Sequence, residues 1–240
     1  MEEWLSRTEM LLGKEKLSIL KSSNVLVVGL GGVGSGAAEM LCRSGIGSMT
    51  IVDGDIVNAS NRNRQLPALT SSEGKYKADV MGARLLDINP DLKITVVKEF
   101  IRDERMTEIL DCGFDYVVDA IDTLSPKVFL IYHTICRKIP LISSMGSGGK
   151  VEPDLITVSD ISETVNCPLA RMIRKRIHGM GIRNGFTAVW SPEKPDKSKI
   201  VAITDEQNKA SVVGTLSYMP ALFGITCASA VIRDLAGIKK

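Results

Sequence analysis

Carboxylates, cations and glycines are spaced along the first half of this chain in a way that suits phosphate chemistry. Gly29, Gly31, Gly32 and Gly34 fall within six residues. Glycine lets a backbone turn tightly and lets a phosphate approach the main chain. The N–H groups of a helix N-terminus behind such a turn favour an anion. Asp53 stands nineteen residues after Gly34, at the end of a second apolar run. A carboxylate there accepts hydrogen bonds from ribose hydroxyls. The stretch 54–65 that follows is polar and rich in Asn and Arg. Arg62 and Arg64 offer planar donors to phosphate oxygens, and Asn58 and Asn61 either hold the loop or touch ribose and phosphate. Ordinary turn chemistry is the competing reading of that loop. Lys77 lies in the first turn of a helix, where its charge opposes the helix dipole and calls for an anion. Asp122 follows a buried strand. It either holds Mg²⁺ between phosphate oxygens or caps the next helix, a role open to Ser125 as well.

Regular elements must position these groups. Residues 24–28, apolar after Asn24 and mostly β-branched without alternation, read as a buried parallel strand. Ala37, Ala38 and Leu41 then mark a helix, and 49–52 a second strand. A helix is expected over 75–88, with Tyr76, Val80, Leu85 and Ile88 on its apolar side and Asn89-Pro90 as its stop. Strands at 93–97, 115–118 and 139–143 alternate with helices at 103–110 and 126–137. This predicts an α/β fold, a doubly wound Rossmann-like and mostly parallel sheet. A glycine loop, 144–150, and an added strand at 155–158 follow. The expected organisation is a single domain. N-terminal helices over 1–22, parted by Gly13, precede a nucleotide-binding core over 23–160. An extension over 161–240 adds antiparallel strands and helices, closing with an apolar helix over 214–235 suited to core or dimer packing.

Composition narrows the class. Of 240 residues, 44% are hydrophobic and the net charge is +2, so only local clusters can indicate a charged partner. Five cysteines without a CxxC pair give neither a disulfide framework nor a zinc ribbon, and a reduced cytoplasm is the simplest compartment. The acidic start, Met1-Glu2-Glu3-Trp4, does not read as a signal peptide. The apolar run 218–232 is short for a membrane span and reads as a buried helix, so no membrane partner is expected. One cluster does stand out: residues 164–192 contain no acid. There Arg171, Arg174, Lys175 and His178 recur at helical spacing, with Arg176 and Arg183 beside them, and Lys194, Lys197 and Lys199 beyond. A solvated face and a polyanion contact are both open. Phe186 and Trp190 are too few for base stacking to be expected. Cys167 just before a helix reads as a capping-region cysteine in preference to an acidified thiol.

Two nucleotide readings survive these residues. An NAD-dependent dehydrogenase needs the glycine turn and Asp53 but gives no joint role to Arg62, Arg64, Lys77 and Asp122. An ATP-using adenylating enzyme does, because a triphosphate must be neutralised. A protein that binds ATP without chemistry is a third possibility.

The motifs Gly29-Leu-Gly-Gly-Val-Gly-Ser35, Asp53-Gly-Asp55, Asn61-Arg-Asn-Arg64-Gln65, Lys77 and Asp119-Ala-Ile-Asp122 resemble the ubiquitin-activating-type adenylating superfamily of ThiF, MoeB and HesA. The resemblance implies ATP and Mg²⁺ as cofactors, with Asp53 and Asp55 on the ribose side. Asn61, Arg64, Gln65 and Lys77 would hold the phosphates, and Asp122 would be the magnesium aspartate. Gly29, Gly31, Gly32, Val33, Gly34, Asn58, Ala120 and Ile121 complete the implied nucleotide contacts. Arg7 matches an N-terminal arginine that reaches the partner subunit's ATP, which implies a homodimer. The implied catalytic set is Arg64, Lys77, Asp122 and Arg7. Within the superfamily, Arg43-Ser-Gly-Ile-Gly, Asn63-Arg-Gln-Leu-Pro-Ala-Leu, Asp119-Ala-Ile-Asp-Thr and Pro168-Leu-Ala-Arg are most similar to the tRNA threonylcarbamoyladenosine dehydratases. That implies tRNA as substrate, bound by Arg171, Arg174, Lys175 and Arg176. It also leaves room for a monovalent cation near 146–149. The alternative substrate is the C-terminus of a ubiquitin-like sulfur carrier, with a cysteine desulfurase system behind it.

Overall fold

The computed structural model describes residues 3–194, 196, 198, 200–202 and 211–238. Its elements run in the order α1 (Ser6–Leu12), α2 (Lys14–Ser22), β1 (Asn24–Val28), α3 (Gly34–Arg43), β2 (Ser48–Val52), α4 (Lys77–Ile88) and β3 (Lys93–Val97). There follow α5 (Asp103–Leu110), β4 (Tyr116–Asp119), α6 (Leu124–Cys136), β5 (Leu141–Ser144), β6 (Thr157–Asp160), α7 (Pro168–Gly179) and β7 (Thr187–Trp190). A small antiparallel pair, β8 (Ile200–Ala202) and β9 (Ser211–Val213), precedes α8 (Tyr218–Leu235).

Seven strands make one sheet in the order β3-β2-β1-β4-β5-β7-β6. The sheet is doubly wound and mostly parallel, as the sequence predicts. β1 lies inside it because Val25, Leu26, Val27 and Val28 are buried on both faces. Val25 and Val27 enter a core with α3, α4 and α8, and Leu26 and Val28 enter the opposite core with α5, α6 and α7. That double burial is why the strand shows no polar alternation. The chain winds from β1 to β2 and β3, then returns to place β4 on the other side of β1. This reversal opens a crevice at the carboxyl ends of β1 and β4, the place where such sheets bind ligands.

Several expectations need correction. The helix expected over 75–88 begins at Lys77, and Tyr76 is exposed. Its buried side is Lys77, Ala78, Met81, Gly82 and Leu85, with Val80 off that face. Small residues let it lie close to β2 and β3, so bulk misplaces the face. β6 is antiparallel as expected but starts at Thr157, after a 3₁₀ turn at Pro153–Leu155. β7, in contrast, is parallel to β5, because α7 carries the chain back before it enters the sheet. Thr123 occupies the N-cap of α6, without a side-chain capping bond, so neither Asp122 nor Ser125 takes that position. The last helix starts at Tyr218 and packs mainly on α3, inside the protomer. Lys197 and Lys199 lie outside the described residues. Among the described residues no helix is long and apolar enough to cross a membrane.

Candidate nucleotide site

Strand register assembles the crevice. Val28 pairs with Val52 on one side and with Asp119 on the other. The residues that leave these strands, Gly29, Asp53 and Ala120, therefore emerge side by side. Gly29 N donates to Val52 O at 2.8 Å, and Ala120 N donates to Val28 O at 2.9 Å. Gly29 has φ +90°, and a Cβ on it would lie 2.7 Å from Ala120 O. Only glycine meets both demands. A Cβ on Gly34 would collide with the carbonyl oxygen of Gly29. The turn is thus folded back on itself at the head of α3, where backbone N–H groups and the helix dipole favour an anion.

Asp53 braces this turn. Its Oδ2 accepts from Leu30 N at 2.6 Å and its Oδ1 from Asp55 N at 2.8 Å. Burial pushes its carboxyl up, while Lys77 and these two amides pull the other way. Lys77 is buried at the start of α4, and its Nζ donates to Asp55 Oδ2 at 2.8 Å. The anion expected opposite Lys77 is therefore Asp55 of its own chain. Asn58 and Asn61 hold the loop: Asn58 N donates to Asn61 Oδ1, and Asn61 N to Asn58 O. Arg62 turns to Thr70 Oγ1 at 3.0 Å. The Arg64 guanidinium donates to Ser60 O and Asn63 Oδ1, while its carbonyl oxygen lies 3.0 Å from where a Gly32 Cβ would stand. Gln65 Nε2 lies 3.7 Å from the corresponding position of Gly31, and its Oε1 is buried with no hydrogen-bond partner.

The loop Ala120-Ile121-Asp122 closes the other side, with Asp122 exposed. Pro220, in the first turn of α8, abuts Gly32. Glycine turn, Asp53, Asp55, Lys77, the 61–65 loop and Asp122 thus share one edge of the sheet. Arg7 does not join them in its own chain. Leu5, just before it, packs on Gly45 at the opposite edge, and Arg7 is exposed. The orphan amide of Gln65 fits a nucleotide: as placed its oxygen accepts a ligand donor, and turned over it offers N–H to a phosphate. Among the described residues no group of three His, Cys, Asp or Glu could hold a metal alone. The exposed Asp122 fits Mg²⁺ all the same, because that ion takes one or two carboxylates and completes its shell with phosphates and water.

Two buried lysines escape the sequence reading. Lys127 is wholly buried in α6 against Asp119. Lys150 closes the glycine loop after β5, donating to Ser191 O at 3.0 Å and Glu193 O at 2.9 Å. Burial holds the Lys150 amine below its usual range, with Cys167 and Glu193 opposing. Cys167 is buried beside Gly146, and burial pushes the Cys227 thiol up to about 12. Burial, then Arg137, keeps His133 low, and His133 packs on Phe129 and Tyr132. On α7, Arg171, Lys175, Arg176 and His178 are exposed. Arg174 departs from the expected set: its guanidinium donates to Thr164 O at 2.6 Å and to Thr164 Oγ1, tying the helix to the preceding 3₁₀ turn. Because Cys167 neighbours Gly146, α7 starts at the same sheet edge as the glycine turn.

Sheet order and strand direction define an α/β protein of the doubly wound class. The ThiF family pattern matches residues 5–240, and the chain belongs to the ThiF family. A tRNA threonylcarbamoyladenosine dehydratase of Bacillus subtilis (strain 168) is 40% identical, over 96% of this chain and 93% of its own. The Escherichia coli (strain K12) protein of the same name is 41% identical, over 98% and 95%. The crystal structure of the E. coli dehydratase TcdA in complex with ATP superposes with a TM-score of 0.88 at 33% identity, covering 99% of this chain and 96% of that one.

Proposed function

We propose that this chain uses ATP to activate the carboxylate of threonylcarbamoyladenosine at position 37 of tRNA and closes that side chain into a ring. A carboxylate is a poor electrophile and hydroxide a poor leaving group. Attack of the carboxylate oxygen on the α-phosphorus releases pyrophosphate and leaves an acyl-adenylate. The carbamoyl group of the same nucleoside then attacks the activated carbonyl, and AMP departs with the oxygen that would otherwise have left as water. Ring closure needs positioning and charge stabilisation from the protein, not a protein nucleophile. That agrees with the burial of Cys42, Cys167 and Cys227 and with His133 packed among aromatic rings.

In this reading the glycine turn, Asp53, Asp55, Asn61, Arg64, Gln65 and Lys77 hold ATP. Asp122 would hold Mg²⁺, which would supply neutralisation of phosphate charge. The exposed cations of α7, Arg171, Lys175 and Arg176, receive the tRNA backbone, with Arg174 keeping the helix in place. A homodimer supplies Arg7 to the partner's crevice, a cytoplasmic setting supplies ATP and tRNA, and a monovalent cation belongs near 146–149. The observation that carries the substrate is the near full-length likeness to dehydratases. The test is ATP–pyrophosphate exchange with tRNA bearing threonylcarbamoyladenosine, followed by nucleoside mass analysis. Exchange that needs the modified tRNA, and product lighter by one water, is expected. Exchange driven instead by a sulfur-carrier C-terminus would overturn it.

A further inference from the structure

The turn after β4 is held by more buried charge than a nucleotide contact requires. Asp119 and Lys127 both have side chains at 0% exposure, and Lys127 Nζ lies 2.8 Å from Asp119 Oδ2. Withdrawing two charges from water is costly, and apolar residues of similar size often hold a fold as well. Lys127 also stands in the first turn of α6, where the helix dipole opposes a cation. Its placement therefore has a reason beyond packing.

That reason lies one residue before Asp122. Asp119 Oδ1 accepts from Ile121 N at 3.1 Å, and Lys127 Nζ donates to Ile121 O at 3.0 Å. One ion pair thus grips both main-chain polar groups of Ile121. Ser143 Oγ on β5 donates to Asp119 Oδ2 at 2.6 Å and steadies the carboxylate from the far side. On the other flank, Ala120 O abuts Gly29. The segment that presents Asp122 is clamped by groups from β4, β5 and α6.

Resting on the adenylating reading above, we propose that Asp119 and Lys127 are positioning residues that hold Asp122 for the divalent cation of bound ATP. Lys127 is wholly covered and acts through Ile121. The pair is the internal fixture that makes a single exposed carboxylate an adequate metal ligand.

The test uses the full chain. Asp119→Asn with Lys127→Met removes both charges at similar volume, so neither is left buried alone. Ser143→Ala keeps the pair and removes one support. Three readouts are taken: thermal unfolding, amide hydrogen exchange across 120–122 without ligand, and calorimetric ATP binding against magnesium concentration. The folded double variant is expected to exchange faster at 120–122 with the rest of the sheet unchanged. It is expected to need about tenfold more magnesium, the usual size of an outer-sphere loss, a larger change than its loss of ATP affinity without metal. Ser143→Ala should move both readouts the same way by less. Wild-type protection and wild-type magnesium dependence in the folded double variant would overturn the proposal. If that variant does not fold, Ser143→Ala decides by the same two readouts. Absence of magnesium-dependent ATP binding in the unsubstituted protein would instead bring down the adenylating reading, and the proposal with it.

Discussion

Lys77 Nζ sits 2.8 Å from Asp55 Oδ2, with the lysine side chain 6% exposed and the aspartate 46% exposed. The cation comes from the floor of the crevice and the anion from its rim. A triphosphate would compete with a carboxylate that solvent already reaches. Lys77→Met should lower ATP–pyrophosphate exchange by about 10²–10³-fold, the size of losing one transition-state charge donor. Stability should change by about 1 kcal/mol or less, since Asp55 can hydrate. Exchange assays and urea unfolding check the two halves, and unchanged exchange would remove Lys77 from the phosphate set.

Asp53 predicts a pH signature. Burial raises its carboxyl despite Lys77 and two amides, so the folded chain keeps a proton that the unfolded chain has released. From the ordinary value of about 3.9 up to the raised folded value, stability must therefore fall as pH rises. Asp53→Asn lacks this step. Unfolding free energies of both proteins, measured across the acid range, should differ by an amount that changes only in that window. Lys77→Met removes the largest downward pull on Asp53 and should carry the window to higher pH. A pH-independent difference would count against a buried, raised carboxyl.

The α7 cations divide into two kinds. Arg171→Glu, Lys175→Glu and Arg176→Glu together should weaken tRNA binding and flatten its salt dependence by about 2–3 in log–log slope, if each meets one phosphate. Arg174→Ala should act on stability instead, because it loses bonds to Thr164. Filter binding over a salt series and thermal unfolding separate them. Equal tRNA affinity in the triple variant would return α7 to a solvated face.

Met10 and Leu11 on α1 are 85% and 83% exposed, on the helix that carries Arg7. Leu11→Asp should shift the protein toward monomer by light scattering and reduce exchange as far as Arg7→Ala does. Mixing Arg7→Ala with Lys77→Met protomers should restore part of the activity if Arg7 acts across the dimer. No restoration would confine Arg7 to its own chain.

Legibility followed the range of the interactions. The glycine turn, Asp53 and the strand that precedes each are local patterns, readable because burial on both faces leaves an unbroken apolar run. The face of α4 is not legible in the sequence, because Ala78 and Gly82 contribute little bulk yet set how closely it approaches the sheet. The burial of Lys127 and Lys150 is illegible for another reason. A lone lysine reads as solvent-facing, and what buries these two lies elsewhere in the chain: Asp119 and the carbonyl of Ile121 for one, the carbonyls of Ser191 and Glu193 for the other. The direction of β7 was likewise hidden, since it depends on where α7 delivers the chain. Of the residues that line the crevice, types and order are legible in the sequence. That Lys77 pairs with Asp55, and that Arg64 folds back onto Ser60, were not.

The meeting of Gly29 with Ala120 is main chain against main chain, between turns that belong to opposite halves of the sheet. Neither can swell or swing without the other, so the foundation of the crevice is a shared, unadjustable footing. Any change in what the crevice admits must then be accommodated overhead, in the 54–65 loop, the 145–150 loop and the first turn of α8. A scaffold of this kind would change its clientele by renovating the roof.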